Sequence, residues 1–149
     1  MLKVIRIKTQ IRSGFENVIR EFEQSNLKRL LLEFISLEAI GVEELSRGSI
    51  PEVKEIYAFY GEQMGKPLYI GITDNLRRRV WGNHLAGNRE TSTLKRKLFK
   101  TLGSEEKVSK FLRKCWIKIK QLPYIDDALL KRLEHLAIGS FLKGLKSCN

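Results

Sequence analysis

Apolar positions along the chain fall into short blocks with two distinct periods. Near the start, "KVIRIK" alternates basic residues with Val4, Ile5 and Ile7, which predicts a short strand or an irregular arm. Ser13 is then placed to cap a helix whose apolar positions Phe15, Val18, Ile19 and Phe22 recur at helical spacing, and a second helix is expected from Leu27 to about Phe34. "SRGSIP" is turn chemistry, and Pro51 disfavours helix at Ile50. Residues 1–50 therefore read as an N-terminal extension and residues 51–149 as the domain proper.

In that domain, "EIYAFY" and "PLYIGIT" are strand-like, and "GEQMGK" between them reads as a hairpin loop. Strand alternation puts Leu68, Ile70 and Ile72 on one face and Tyr69, Gly71 and Thr73 on the other, with Tyr57 and Phe59 sharing a face of the first strand. Tyr57 is expected beside Tyr69, with Gly71 leaving room for a ligand to approach. Thr73 or Asp74 caps a helix with Leu76, Val80 and either Leu85 or His84 inside. "TST" begins a helix carrying Leu94, Leu98 and Leu102, "SEEKVSKFLRK" begins another, and "CWIKIKQL" alternates as a third strand. Asp126 and Asp127 open a last long helix with Leu129, Leu130, Leu133, Leu136, Ala137, Ser140 and Phe141 on one stripe. The order β-β-α-α-α-β-α predicts an α+β fold: a small three-stranded antiparallel sheet flanked by helices, after a helical extension.

The chain has 149 residues, 42% of them hydrophobic, which suits one ordinary domain with a real core. A net charge of +11 changes the picture, because it exceeds what solubility needs and points to a polyanionic partner, nucleic acid first. The charge is also unevenly placed. Residues 1–50 hold 8 Lys+Arg against 7 Asp+Glu, residues 51–149 hold 20 against 10, and from Asn75 to Lys120 the count is 14 basic to 3 acidic. Cys115 and Cys148 form neither a CxxC pair nor a Cys/His metal cluster, and are read as reduced structural thiols. The opening residues lack a continuous apolar stretch of signal-peptide length, and Glu33 and Glu38 interrupt the most apolar run. A cytoplasmic protein that does not enter membranes is expected.

The chemistry-bearing residues are Ile56-Tyr57, then Tyr69-Ile70-Gly71, then Arg79 of "DNLRRRV" ten positions after the second tyrosine, His84, and Glu134 in the last helix. In this order they resemble the GIY-YIG nuclease superfamily over roughly residues 54 to 149. The resemblance implies phosphodiester hydrolysis of DNA with one divalent metal, Mg²⁺ or Mn²⁺, held by Glu134. It implies that Arg79 holds the scissile phosphate and that one of Tyr57 and Tyr69 orients or deprotonates the attacking water, with nearby cations lowering the phenol pKa. His84 is implied as an aid to proton transfer or phosphate binding. The basic helices place Arg77, Arg78, Lys95, Arg96, Lys97 and Lys100 along the DNA backbone. A homodimer remains open, since one active site nicks only one strand.

Two positions depart from the motif. Glu55 stands where its first glycine would be, and Ile72 follows "YIG" where some relatives carry lysine, which would remove a cation from beside the tyrosines. Two further readings stay open: a nucleic-acid-binding module that kept the fold and lost catalysis, and an interaction domain with residues 1–50 as its partner surface. His135, Asp126 and Asp127 read as ordinary surface and helix-start residues.

Overall fold

The computed structural model describes residues 2–46, 48, 50, 52–79 and 92–147, with side chains described within residues 14–141. Its elements run α1 (Leu2–Ser36), β1 (Ile40–Gly41), a 3₁₀ turn (Val42–Glu44), β2 (Glu55–Gly61), β3 (Met64–Thr73), α2 (Thr93–Leu102), α3 (Glu105–Arg113), β4 (Trp116–Gln121) and α4 (Asp127–Ser147). The α+β class and the flanking helices are as the sequence predicts. The sheet has four strands rather than three, all antiparallel, in the order β1-β4-β2-β3. The extra strand is two residues long, pairing Ile40 with Ile117 and Gly41 with Trp116.

Alternation along β2 divides its side chains between two cores. Tyr57 and Phe59 face a core with Ile117, Leu94, Val108 and Leu112, closed by α2 and α3. Ile56, Ala58 and Tyr60 face a second core with Leu27, Leu31 and Phe34 of α1 and Leu130, Leu133 and Ala137 of α4. The sheet is thus the middle of three layers, with β2 at its centre and buried from Glu55 to Tyr60.

The extension differs from its sequence reading. "KVIRIK" is helical, and the two expected helices are one helix of 35 residues. Once a helix exists, each added residue contributes a hydrogen bond without a new nucleation step, so the helix continues through Ser13 and Gly14 although glycine costs about 1 kcal/mol there. Basic residues of β4 anchor it. Lys118 Nζ donates to Ile35 O at 2.7 Å, and Lys120 Nζ pairs with Glu33 at 2.9 Å. From α4, Arg132 pairs with Glu23 at 2.8 Å.

Capping follows the sequence in the outer helices. Ser92 and Ser104 accept from the amides of Lys95 and Lys107 at the starts of α2 and α3. Gly103 ends α2 at φ 86°, a left-handed conformation that glycine adopts without Cβ strain. At the head of α4, Asp126 Oδ1 accepts from Ala128 N at 2.7 Å. Lys54 Nζ ties that corner to β2 through Ile125 O at 3.1 Å and Asp127 at 2.8 Å.

Candidate active site

The hairpin sets the first half of the site. Its register pairs Tyr57 with Gly71 and Phe59 with Tyr69, so Tyr57 and Tyr69 are diagonal neighbours on one face rather than directly opposed. Their ring centroids lie 6.1 Å apart with planes tilted by 34°, and Phe59 meets Tyr57 edge-on at 6.0 Å. Gly71 does not leave space for a ligand. A Cβ there would lie 2.6 Å from Tyr57 Oη and 2.9 Å from Tyr69 Cε1, so the missing side chain is what lets the Tyr57 phenol lie across β3.

The turn after β3 delivers the guanidinium. Thr73 Oγ1 accepts from Asn75 N at 3.1 Å, Asn75 Oδ1 accepts from Arg78 N at 3.0 Å, and Asn75 O accepts from Arg79 N at 3.1 Å. Asn75 is therefore the capping residue, where the sequence suggested Thr73 or Asp74; Asp74 instead pairs with Arg78 at 3.3 Å. The helical turn so formed buries Leu76 and turns Arg79 back over the strands, where it hydrogen-bonds Tyr69 and Tyr57. Burial acts against the charged guanidinium, but the bonds to the phenols outweigh it and raise its pKa.

The environment of Tyr57 works against deprotonation. Its ring is fully buried, and desolvation, then the neighbouring Tyr69, raise its pKa far above the ordinary phenol value despite the opposing effect of Arg79. At neutral pH Tyr57 is a neutral hydroxyl. Tyr69 is only half-buried and lines a cleft of about 330 Å³ along the free edge of β3, together with Lys66, Lys97, Ile138 and Phe141.

Glu134 lies on α4, in the layer covering the opposite face of the sheet from Tyr57. It is half-buried, one turn before the Ile138 that lines the β3-edge cleft, and it takes part in none of the ion pairs among the described residues. Tyr57, Tyr69 and Arg79 are thus assembled on one face of the sheet, while Glu134 lies on the helix that covers the other. His84 lies outside the described residues.

Two of the basic residues assigned to DNA, Arg77 and Lys95, are turned into the fold. Arg77 Nε donates to Ile50 O at 2.9 Å and its Nη1 pairs with Glu52 at 3.2 Å, which fixes the segment before β2. Lys95 is buried, and desolvation lowers its pKa with Glu105 opposing. Lys118 and Lys120 hold α1. Arg78, Arg96, Lys97 and Lys100 remain exposed.

The position at which the motif's glycine is replaced is informative. Glu55 points to the same face as Tyr57, pairs across the sheet with Thr73 and Gln121, and is completely buried with both carboxyl oxygens unpartnered. Desolvation pushes its pKa up to about 8, so it is a neutral carboxyl at pH 7. Nothing in the sequence signalled that a charged residue type at a strand start would be wholly enclosed. Ile72 faces the α1/α4 layer, so a lysine at that position would not stand beside the tyrosines on their face.

The domain is thus an α+β fold in which two tyrosines of a hairpin are bonded to an arginine from the following turn. Residues 54–141 match the family model for the GIY-YIG catalytic domain, and the chain belongs to that family, within the GIY-YIG nuclease superfamily. No curated protein and no solved structure matches the chain. No helix among the described residues is long and apolar enough to cross a membrane.

Proposed function

We propose that the protein is a metal-dependent endonuclease that hydrolyses DNA phosphodiester bonds. The observation that carries this reading is the Arg79 guanidinium bonded to both Tyr57 and Tyr69 on one face of the hairpin. A guanidinium held by two phenols keeps N–H groups free to grip a phosphate oxygen, and its orientation is fixed before substrate arrives.

The two tyrosines divide the work by burial. Tyr57, neutral and enclosed, donates or accepts only within the cluster and holds Arg79 in place. Tyr69, at the cleft, is the phenol that orients the attacking water. His84 serves proton transfer or phosphate contact in the same reading, since an imidazole can both accept and donate a proton. Exposed Arg78, Arg96, Lys97 and Lys100 supply backbone contacts to DNA, giving affinity without sequence information.

The donor set fits a hard divalent cation. Glu134 is a carboxylate that forms none of the ion pairs found, in a strongly basic chain, and Mg²⁺ or Mn²⁺ is commonly held by one or two carboxylates with waters and substrate phosphate completing the shell. No group of three His, Cys, Asp or Glu side chains among the described residues offers an all-protein cage. Bound at Glu134, such an ion would supply charge neutralisation at the phosphate and the leaving oxygen.

Relaxation of supercoiled plasmid with Mg²⁺ or Mn²⁺, stopped by EDTA, tests the proposal. Glu134→Gln should abolish nicking while retaining DNA binding, and wild-type nicking by that variant would reject the metal assignment. One observation favours a second reading, a binding module without catalysis: the buried Glu55 in place of the motif glycine. That reading predicts DNA binding with no nicking by the wild-type protein under any divalent ion.

A further inference from the structure

A second cleft opens in the layer on the far side of the sheet from Tyr57, between α1 and α4. It encloses about 610 Å³ beside the apolar Leu27 and Leu136, with Arg20 and Lys28 contributed by α1 and Arg132 and His135 by α4. No carboxylate lines it. Arg20 and Lys28 are exposed and form no ion pair among the described residues, and Glu16, one turn before Arg20, is not bonded to it. Arg132 gives Nη1 to Glu23 at 2.8 Å while its side chain stays 60% exposed, so its other N–H groups still face the cleft opening. Lys118 and Lys120 hold α1 in place; Arg20 and Lys28 have no such task.

Charge and spacing indicate the ligand. Arg20 and Lys28 are two turns apart on one flank of α1, about 12 Å along its axis, a span of three to four nucleotides of a duplex strand at about 3.4 Å each. Upstream on the same helix the sequence adds Lys3, Arg6, Lys8 and Arg12, with no acidic residue through residue 13. Cations strung along a helix match a chain of phosphates rather than one small anion. The apolar Phe15, Val18 and Phe22 stand about half a turn around α1 from Arg20, so Arg20 lacks the adjoining apolar face that a lipid surface would take. The catalytic cleft is also close. Ile138 and Phe141 of α4 line the cleft along β3, Arg132 and His135 line this one, and helical spacing puts the exposed Lys131 between the two sets. A helix is about 10–12 Å across and one duplex turn about 34 Å long, so a single duplex lying over α4 reaches both.

We propose that the α1/α4 cleft is a second binding site for the DNA phosphate backbone, with Arg20 and Lys28 as its principal cations and Arg132 and His135 as further N–H donors. The inference rests on DNA as the ligand, as proposed above, and on no step of cleavage. It makes α1 part of the DNA surface as well as a cover for the sheet.

Binding of the full chain to a duplex of about 30 bp, followed by fluorescence anisotropy across a salt series, tests it. Arg20→Gln with Lys28→Gln should lower the slope of log K against log salt by roughly 2 and weaken binding at least fivefold near 100 mM salt. The thermal midpoint should not move, because neither side chain pairs within the described fold. Lys107→Gln with Lys114→Gln removes the same charge from the α3 side and should lower the slope by less than about 1. An unchanged slope in the Arg20/Lys28 variant, or an equal fall in both variants, overturns the inference. Nicking separates it from the catalytic reading: wild-type nicking with unaltered binding by the variant removes the second site alone, and a lowered slope in a protein that never nicks removes catalysis alone. Binding to phosphatidylserine vesicles that the variant loses, with its DNA slope unchanged, would assign the cleft to lipid headgroups and overturn the inference.

Discussion

Gly71 shows how a single absent side chain sets up the site. A methyl group there would stand within 3 Å of both the Tyr57 phenol and the Tyr69 ring, and the buried Tyr57 has little space in which to retreat. Gly71→Ala should destabilise the protein by about 1–3 kcal/mol and displace the phenol that holds Arg79, lowering nicking beyond the loss of folded protein. Urea titration together with the nicking rate at equal folded fraction measures the two effects. Glu55 acts on stability through pH. Its carboxyl is raised to about 8 in the folded chain from an ordinary 4.5, so its contribution is fully present below pH 4.5. As pH rises, the unfolded chain ionises first, and stability falls through the window from 4.5 to 8, on the order of 5 kcal/mol in all. Glu55→Gln should flatten that window in urea titrations at pH 5, 6, 7 and 8; an unchanged slope would show that Glu55 is ionised when folded.

At the scale of elements, α1 belongs to the fold although its sequence reads as an appendage. Phe34 is fully buried between α4 and the sheet, and Phe34→Ala should cost about 3–5 kcal/mol, read as a lowered thermal midpoint. A loss below 1 kcal/mol would mean that α1 is only loosely docked. The β2–β3 hairpin, β4 and α2 to α4 were legible because their periods are clean and bounded by serine caps, glycine and Asp126. The run "KVIRIK" was not, because six residues of alternating charge fit either a strand or a helix, and helical continuity decided the outcome. Strand β1 is too short to carry any period, and it exists because Ile40 and Gly41 meet the free edge of β4. The hairpin loop was overestimated: strand pairing extends to Gly61 and Met64, with Met64 and Gly65 turning at positive φ of 59° and 72°. Of the site, the tyrosine–arginine spacing was readable from sequence. The diagonal packing, the burial of Glu55 and the inward use of Arg77 and Lys95 were not, since each depends on register and on which layer covers a face.

For the whole molecule, the net charge of +11 overstates the surface offered to DNA. Lys118 and Lys120 are engaged with α1, Lys54 with α4, and Arg77 with the segment before β2, leaving Lys66, Arg78, Arg96, Lys97 and Lys100 among the exposed cations on the segments that flank the tyrosine–arginine cluster. Neutralising Arg96, Lys97 and Lys100 together should reduce the slope of log K against log salt for duplex DNA by roughly 2–3. The same change at Lys118 and Lys120 should lower stability and leave the slope alone. The most direct measurement is the nicking rate of supercoiled plasmid in Mn²⁺ for wild type, Tyr69→Phe and Arg79→Ala, compared at equal folded fraction. A hydrolytic site built on Arg79 and Tyr69 predicts EDTA-sensitive nicking by the wild type and losses of at least a hundredfold in both variants. Nicking at the wild-type rate by either variant, or none by the wild type, would contradict it.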